Sequence, residues 1–211
     1  MSAAAPKARR GRDGAETRAR IEQEALRLFA EKGVDGTSVR DIAQAVGVAE
    51  GALYRHFASK EALARDIFLA RYAELAAAIG AITAQVPDLA GRVRALVAHA
   101  CALFDAEPAL FAYLLVTQHD HLTAVAADPS ANVAEAIAAM MREAMEKGEL
   151  PAQDVSLAAA LALGAVVQPA VFVLYGRLPA PLAAYAGRIA EAVLAALGAR
   201  DVTAAGCAGT E

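Results

Sequence analysis

The chain has 211 residues, 57% of them hydrophobic, and a formal net charge of −4, so it can bury a core in one large or two modest domains. Its two cysteines, Cys101 and Cys207, exclude a disulfide framework and have no metal-binding spacing, which favours a reducing cytoplasm. The acidic excess lies in residues 72–211, because residues 1–71 hold 13 Lys and Arg against 10 Asp and Glu.

The first 14 residues combine basic side chains with no apolar periodicity, so we expect a disordered segment. Its basic residues are Lys7, Arg9, Arg10 and Arg12. Such an arm can reach a DNA minor groove, or it can be a solvated tail without a role. No apolar stretch follows these charges, so the segment is not typical of a secretory signal.

The first predicted helix runs from about Thr17 to Lys32. Its apolar side chains, Ile21, Ala25, Leu28 and Phe29, fall on one face. Gly33 can end this helix in a left-handed conformation. Thr37 or Ser38 can then cap the next helix.

The second helix repeats apolar residues at helical spacing and meets a third across a glycine. The repeat consists of Val39, Ile42, Ala43 and Val46, and Gly47 occupies the turn. In the third helix Val48, Leu53 and Phe57 are expected to face the core. The outward face then carries Glu50, Gly51, Tyr54, Arg55 and His56. Two short helices crossing at a tight turn can place one of them in the major groove of DNA.

These residues resemble the DNA-binding domain of the tetracycline-repressor (TetR) family of bacterial transcription regulators, over roughly residues 15–70. The resemblance rests on Thr37–Ala43, Gly47–Val48, Gly51–Phe57 and Ser59–Glu61. It implies a repressor-type homodimer on a palindromic double-stranded DNA operator, with a small-molecule effector. It also implies phosphate contacts from Thr37, Arg40, Tyr54, His56 and Lys60, and base contacts from Glu50, Gly51, Ala52 and Arg55. The predicted DNA-binding set is completed by Ser38 and Ala49.

Two positions depart from the family pattern. Ala49 stands where a serine or threonine commonly caps the third helix, a loss of typically ~1 kcal/mol. Glu50 stands where a basic residue or proline is frequent. The Glu50 carboxylate can accept a hydrogen bond from a cytosine amino group, or it can merely compensate for the weak cap.

The rest of the chain predicts more helices and no strands, so the fold class is all-α. Proline-containing breaks separate helices near 59–82, 89–105, 108–120, 129–147, 154–175 and 180–197. We therefore predict a basic arm at 1–14, a helix-turn-helix domain at 15–60, a ligand-binding and dimerisation domain at 61–198, and a flexible tail at 199–211.

The uncharged stretch from Val155 to Tyr175 is long enough to cross a bilayer. Its alanine content, Gly164, the Gln168–Pro169 pair and the absence of flanking basic clusters favour a helix buried between subunits. Paired with a second copy, helices 154–175 and 180–197 would form a four-helix bundle. Such a two-fold assembly would present two recognition helices to successive turns of DNA.

The family resemblance implies a small-molecule pocket among the middle helices. Candidate lining residues are His99, Phe104, Phe111, Tyr113, Met140, Met141, Gln168 and Phe172, although aromatic and methionine residues at helical spacing are more often ordinary core residues. Because the set carries little charge, we expect an uncharged or lipophilic effector.

The sequence shows no catalytic or cofactor-binding motif. His119-Asp120-His121 would not chelate a metal within a helix, because residues two apart point in nearly opposite directions. We therefore expect no enzyme activity, no cofactor and no metal. The alternatives are a helical enzyme or small-molecule carrier with a vestigial motif, and an activator or nucleoid-type protein without an inducer.

Overall fold

The structure, a computed structural model, describes residues 7–125 and 131–199. Its regular secondary structure over these ranges is helical, which confirms the predicted all-α class. The α-helices are α1 (Lys7–Lys32), α2 (Val39–Val46), α3 (Glu50–Leu53), α4 (Lys60–Gln85), α5 (Leu89–Ala106), α6 (Pro108–Val125), α7 (Val133–Glu146), α8 (Val155–Leu174) and α9 (Ala186–Leu197). A 3-10 helix, Leu182–Tyr185, precedes α9.

The chain divides into two compact units. The first comprises the residues up to Ala70 together with Ala109–His121, and the second comprises Arg71–Pro108 and the residues from Leu122 onward. The boundary predicted between residues 60 and 61 thus differs from the observed one, which lies inside α4. Because α4 is continuous from Lys60 to Gln85, no loop marks this boundary in the sequence.

The core of the first unit forms around the apolar face of α1. Ile21, Ala25 and Phe29 are buried there, as their spacing predicts. Tyr113 of α6 is fully buried, and its ring stacks on that of Phe29 with 6.1 Å between centroids. The Tyr113 hydroxyl donates to the backbone carbonyl of Ala64, and burial raises the pKa of Tyr113 above its ordinary range. Tyr113 is therefore a core residue of this unit.

Helix α1 begins at Lys7, about ten residues before the predicted start near Thr17. The prediction of disorder is therefore wrong for residues 7–14, while residues 1–6 lie outside the described ranges. The error arose because apolar periodicity was the criterion for a helix. The Lys, Ala and Arg residues of this segment have high helix propensity without any apolar stripe, and a helix that is nucleated further along the chain can propagate through Gly11 and Gly14.

In the second unit, α5 and α7 are joined by the buried side chain of Arg92. Its Nε donates to the Val86 carbonyl at 2.7 Å, and its Nη1 lies 2.9 Å from a carboxylate oxygen of Glu143. Hydrogen bonds from Arg92 and then Lys147 lower the pKa of Glu143 to about 2. The start of α5 is capped by Asp88, which accepts from the Gly91 N–H at 2.8 Å.

A carboxylate at the end of α5 binds the start of the last helical segment. The two oxygens of Asp105 accept from the backbone N–H groups of Leu182 and Ala183 at 2.7 and 2.8 Å. The segment predicted as one helix from residue 180 is instead the 3-10 helix followed by α9. The tail predicted at 199–211 lies, apart from residue 199, outside the described ranges.

Helix α8 is apolar but largely exposed within one chain. Only Ala158, Ala159 and Ala170 of this helix are buried, whereas Leu157 is 58% exposed and Phe172 is 43% exposed. By length and composition α8 and α4 both meet the requirements of a membrane span. Within one chain α8 is therefore largely uncovered, and its predicted burial between subunits stays a prediction.

Candidate nucleic-acid interface

Helix α2 begins at a complete capping box. Ser38 is the N-cap: its hydroxyl oxygen accepts from the Asp41 N–H at 3.1 Å, and Asp41 accepts from the Ser38 N–H at 2.9 Å. Hydrogen bonds donated to the Asp41 carboxylate by the Ser38 N–H and by the Ser38 hydroxyl hold the pKa of Asp41 below its usual value. Of the two caps considered from the sequence, the structure selects Ser38. Thr37 has another role.

The Thr37 side chain is buried, with 1% exposure. Its hydroxyl donates to the Gly33 carbonyl at 2.8 Å and lies 3.3 Å from the Leu28 carbonyl. The hydroxyl is thus engaged inside the connection between α1 and α2, which does not favour the phosphate contact predicted for the Thr37 side chain. The sequence could not distinguish the two positions because threonine and serine are both good caps.

The turn between α2 and α3 has the geometry that its glycine predicts. Gly47 adopts a left-handed conformation with φ of 76°, and the N–H groups of Gly47 and Val48 donate to the Ala43 carbonyl at 2.9 and 3.0 Å. From α1, a guanidinium nitrogen of Arg20 donates to the Val46 carbonyl at 2.7 Å. These bonds satisfy the end of α2 and define the direction in which the chain enters α3.

Helix α3 is a single turn whose cap is weak, as predicted. Ala49 is the N-cap and makes no side-chain hydrogen bond. Among the described residues, no hydrogen-bond donor reaches the Glu50 carboxylate, so direct repair of the cap by this side chain does not occur here. Leu53 and Phe57 are buried, which anchors one side of the turn in the core.

The predicted DNA contacts divide according to their exposure. The exposed members are Ser38, Arg40, Ala49, Glu50, Gly51, Tyr54 and Arg55, and His56 is half-buried. Ala52 has only 9% exposure, so its predicted contact with a base edge is not supported: its side chain faces the core. Ala52 lies inward because it shares the inner side of a one-turn helix with Leu53.

Lys60 is engaged within the protein. Its Nζ donates to the carbonyl oxygens of Val34, Asp35 and Thr37 at 2.8, 3.3 and 3.0 Å. In addition, Ser59 caps α4, because its hydroxyl oxygen accepts from the Ala62 N–H at 3.1 Å. The predicted cap is confirmed. The phosphate contact predicted for Lys60, however, would have to compete with three backbone carbonyls that already accept from its ammonium group.

Two arginines of α1 contribute to this site although the sequence did not single them out. Besides Arg20, which bonds the end of α2, Arg18 places its guanidinium carbon 4.7 Å from the centre of the Phe57 ring. Arg18 also pairs with Glu22 at 2.9 Å. By contrast, Arg40 and Arg55 make no ion pair among the described residues, so their charges are available to a ligand outside the chain.

The candidate pocket residues do not form one group. Phe104, Met140 and Met141 are buried in the second unit, whereas Phe111 and Tyr113 belong to the α6 segment of the first unit. His99, Gln168 and Phe172 are exposed within a single chain, so their exposure does not support the pocket predicted for them. Periodicity places residues on a helix face, but it does not say whether that face is covered.

No metal-binding cluster is found among the described residues. The side chains of His119 and Asp120 lie outside the description. The His121 ring is tilted against that of Phe68, with 5.2 Å between centroids. His121 is thus an aromatic neighbour of α4.

A capped helix, a left-handed glycine turn and a one-turn helix with an exposed outer side define a helix-turn-helix unit of the DNA-binding type. Residues 21–67 match the sequence model described as bacterial regulatory proteins, tetR family. The helix-turn-helix unit of this chain therefore belongs to the tetR family.

Relatives agree with this identification. The transcriptional repressor KstR2 of Rhodococcus jostii is 39% identical over 82 residues, which are 39% of this chain and 40% of that protein. The tetR-family regulator PfmR of Thermus thermophilus superposes with a TM-score of 0.70 at 27% identity, covering 86% of this chain and 99% of that one. The transcriptional regulator FadR of Bacillus subtilis, solved with stearoyl-CoA, superposes with a TM-score of 0.69 at 18% identity, covering 83% of this chain and 96% of that one.

Proposed function

We propose that the protein is a ligand-responsive transcription regulator that represses promoters by binding a palindromic operator as a homodimer. The observation that carries this proposal is the exposed surface of the helix-turn-helix unit, on which Arg40, Gly51, Tyr54 and Arg55 are all accessible. Basic and hydroxyl groups supply phosphate contacts, and a glycine lets the backbone approach base edges. No enzyme activity, cofactor or metal is part of the proposal.

Operator binding is tested by selecting duplexes from a random library at low salt and measuring affinity by fluorescence anisotropy. Arg55→Ala is expected to relax sequence preference at one position of each half-site and to cost about 1–3 kcal/mol. Arg40→Ala serves as the matched control, because loss of a phosphate contact weakens all duplexes alike and reduces the salt slope by about 1. The absence of any selected inverted repeat would overturn the proposal.

Glu50 offers a sharper test of base readout. Its carboxylate is exposed beside Gly51, which favours acceptance from a cytosine amino group in the groove. Selection with Glu50→Gln should then change the preferred base at one position. An unchanged operator at every position would show that Glu50 contacts no base.

We propose that the dimer forms through α8 and α9. The exposed apolar side chains of α8 and of its C-cap Tyr175 support this, since Leu157, Leu161, Phe172 and Tyr175 leave an apolar surface uncovered within one chain. Leu161→Lys should convert the dimer to a monomer in light scattering. Ala98→Lys, which adds the same charge to an exposed position of α5, is the control and should leave the dimer intact.

The same experiments test localisation. We propose a cytoplasmic protein in which the partner subunit covers α8. In the alternative, α8 lies in a lipid bilayer. Partition of the full chain into washed membranes, with Leu161→Lys in the soluble fraction, would support the bilayer and contradict the dimer.

We propose a lipophilic effector bound by the helical domain around Phe104, Met140 and Met141. The support is the apolar character of these buried side chains, together with the regulator solved with stearoyl-CoA and the ketosteroid regulator KstR2 of Mycobacterium tuberculosis among the similar structures. An effector that prefers the DNA-free state a hundredfold shifts the equilibrium by about 2.7 kcal/mol.

Stearoyl-CoA and a representative ketosteroid are the first probes. Each is added to the protein–operator complex, and release is followed by anisotropy beside a thermal melt of the free protein. Release by one probe, abolished in Met141→Glu but retained in Glu146→Gln, would support the assignment. If neither probe releases DNA or raises the melting temperature, the effector is neither an acyl-CoA nor a ketosteroid.

Repression is tested with a reporter downstream of the selected operator. Expression of the chain should lower reporter output. A rise would identify an activator, which is the alternative left open by the sequence.

A further inference from the structure

The side-chain nitrogen of Lys60 occupies a site made of three backbone carbonyls. The oxygen atoms of Val34, Thr37 and Asp35 lie 2.8, 3.0 and 3.3 Å from Nζ. An ammonium group has three N–H donors and no acceptor, so these three carbonyls take its full hydrogen-bonding capacity. Hydrogen bonds of this charged kind are stronger than neutral ones.

The three carbonyls belong to the connection between α1 and α2, which is held from other directions as well. The Thr37 hydroxyl donates to the Gly33 carbonyl at 2.8 Å, and the Thr37 N–H donates to the Val34 carbonyl at 3.3 Å. A Cβ on Gly36 would lie 2.3 Å from the Lys32 carbonyl oxygen, so the backbone passes there at close range. The connection thus has one tightly specified conformation.

Lys60 joins this connection to the first turn of α4. Thr37 immediately precedes Ser38, the N-cap of α2, so the position of the Thr37 carbonyl determines where α2 starts. Helix α3 follows α2 after the turn at Gly47. A displacement of the connection would therefore move the outward face of α3 relative to α4.

We propose that Lys60 is a positioning residue for sequence-specific DNA recognition, and that its ammonium holds α2 and α3 in register with α4 instead of contacting a phosphate. This inference rests on the proposed DNA-binding function. It replaces the phosphate role implied by the family resemblance. The two roles differ in salt dependence, since each phosphate contact adds about −0.9 to the slope of log K against log salt, while a carbonyl-bound ammonium adds none.

The test compares Lys60→Met and Lys60→Arg with Arg40→Met. Affinities are measured over a salt series for a duplex selected by the wild-type protein and for a random duplex. We expect Lys60→Met to lose at least about tenfold on the selected duplex, with the random duplex and the salt slope nearly unchanged. Arg40→Met should weaken both duplexes and lower the slope by about 1.

Lys60→Arg separates the roles without a change of charge. A guanidinium is a good phosphate ligand, but its planar fork cannot direct three N–H groups at three carbonyls around one point. Positioning by Lys60 therefore predicts that Lys60→Arg loses the preference for the selected duplex. A merely destabilising change would reduce the folded fraction and weaken both duplexes equally, which circular dichroism would also reveal.

Two results would overturn this inference while leaving the DNA-binding function intact. One is a Lys60→Met variant that behaves like Arg40→Met, with retained affinity in Lys60→Arg. The other, which needs no DNA, is unchanged amide hydrogen exchange of residues 33–38 in both variants, where we expect at least about tenfold faster exchange. Failure of the wild-type protein to bind any duplex would instead overturn the DNA-binding function, and this inference with it.

Discussion

Gly36→Ala tests how tightly the connection between α1 and α2 is built. The added methyl carbon would lie 2.3 Å from the Lys32 carbonyl oxygen, about 1 Å closer than an ordinary carbon–oxygen contact. Gly36 does not have a positive φ, so alanine meets no backbone penalty at this position. The whole cost must therefore come from the close contact and from the rearrangement that relieves it.

The magnitude follows from the bonds that such a shift would break. Moving the connection by about 1 Å lengthens the Lys60 bonds to Val34 and Thr37 beyond hydrogen-bonding distance, and each charged bond contributes about 1.5 kcal/mol at the lower end. We expect a loss of about 3 kcal/mol in the free energy of unfolding. For a chain of this size that corresponds to a fall of about 6–12 °C in Tm.

The assay is a thermal melt at one protein concentration, because the proposed dimer would make Tm depend on concentration. Gly80→Ala is the control, since a Cβ at Gly80 meets no atom within 4 Å in α4 and alanine should raise helix stability by about 0.5–1 kcal/mol. A Gly36→Ala protein that melts within about 1 °C of the wild type would refute the reasoning, for it would mean that the connection adapts freely.

Gly51→Ala should melt no lower than the wild type, because a Cβ at this position meets no protein atom within 4 Å. The variant should nevertheless lose about 1–3 kcal/mol of operator affinity. Unchanged anisotropy titrations would show that this face does not contact DNA. Glu143 has a pKa of about 2 in the folded state, so its contribution to stability is complete above the ordinary pKa of 4.5 and is lost as the pH falls toward 2. Urea unfolding of Glu143→Gln should accordingly depend less on pH across that window, and identical pH profiles would contradict the role of Arg92. Asp105→Ala should cost about 1–3 kcal/mol in urea unfolding by removing both bonds to the 3-10 helix, with Asp154→Ala, the N-cap of α8, as a comparison for an ordinary cap.

The functional residues that sequence reasoning found and missed differ in a systematic way. Ser38, Gly47, Ala49 and Ser59 were found because caps and turns depend on residues within one or two positions along the chain. The hydrogen bonds of Thr37 and Lys60 were not predicted, because they reach other segments. The Lys60 acceptors lie more than twenty positions earlier, and local patterns cannot reveal such a pairing.

The candidate pocket shows the same limit. Phe104 and Met141 are buried as their apolar character indicates, yet Phe172 is just as apolar and remains exposed within one chain. Whether an apolar side chain is buried depends on whether a second element or subunit packs over it. Composition predicts that such a side chain is more stable when buried, but not which element buries it.

The amino-acid sequence by itself determined the all-helical class, the helix-turn-helix unit and its local caps, because these depend on short-range periodicity and on the preferences of single residues. Only the tertiary structure decided that Tyr113 of α6 completes the core of the first unit and that the Lys60 ammonium lies among three carbonyls. It also decided that α8 leaves its apolar side uncovered. The physical reason is that long-range packing selects among conformations and partners which local preferences leave almost equal in free energy.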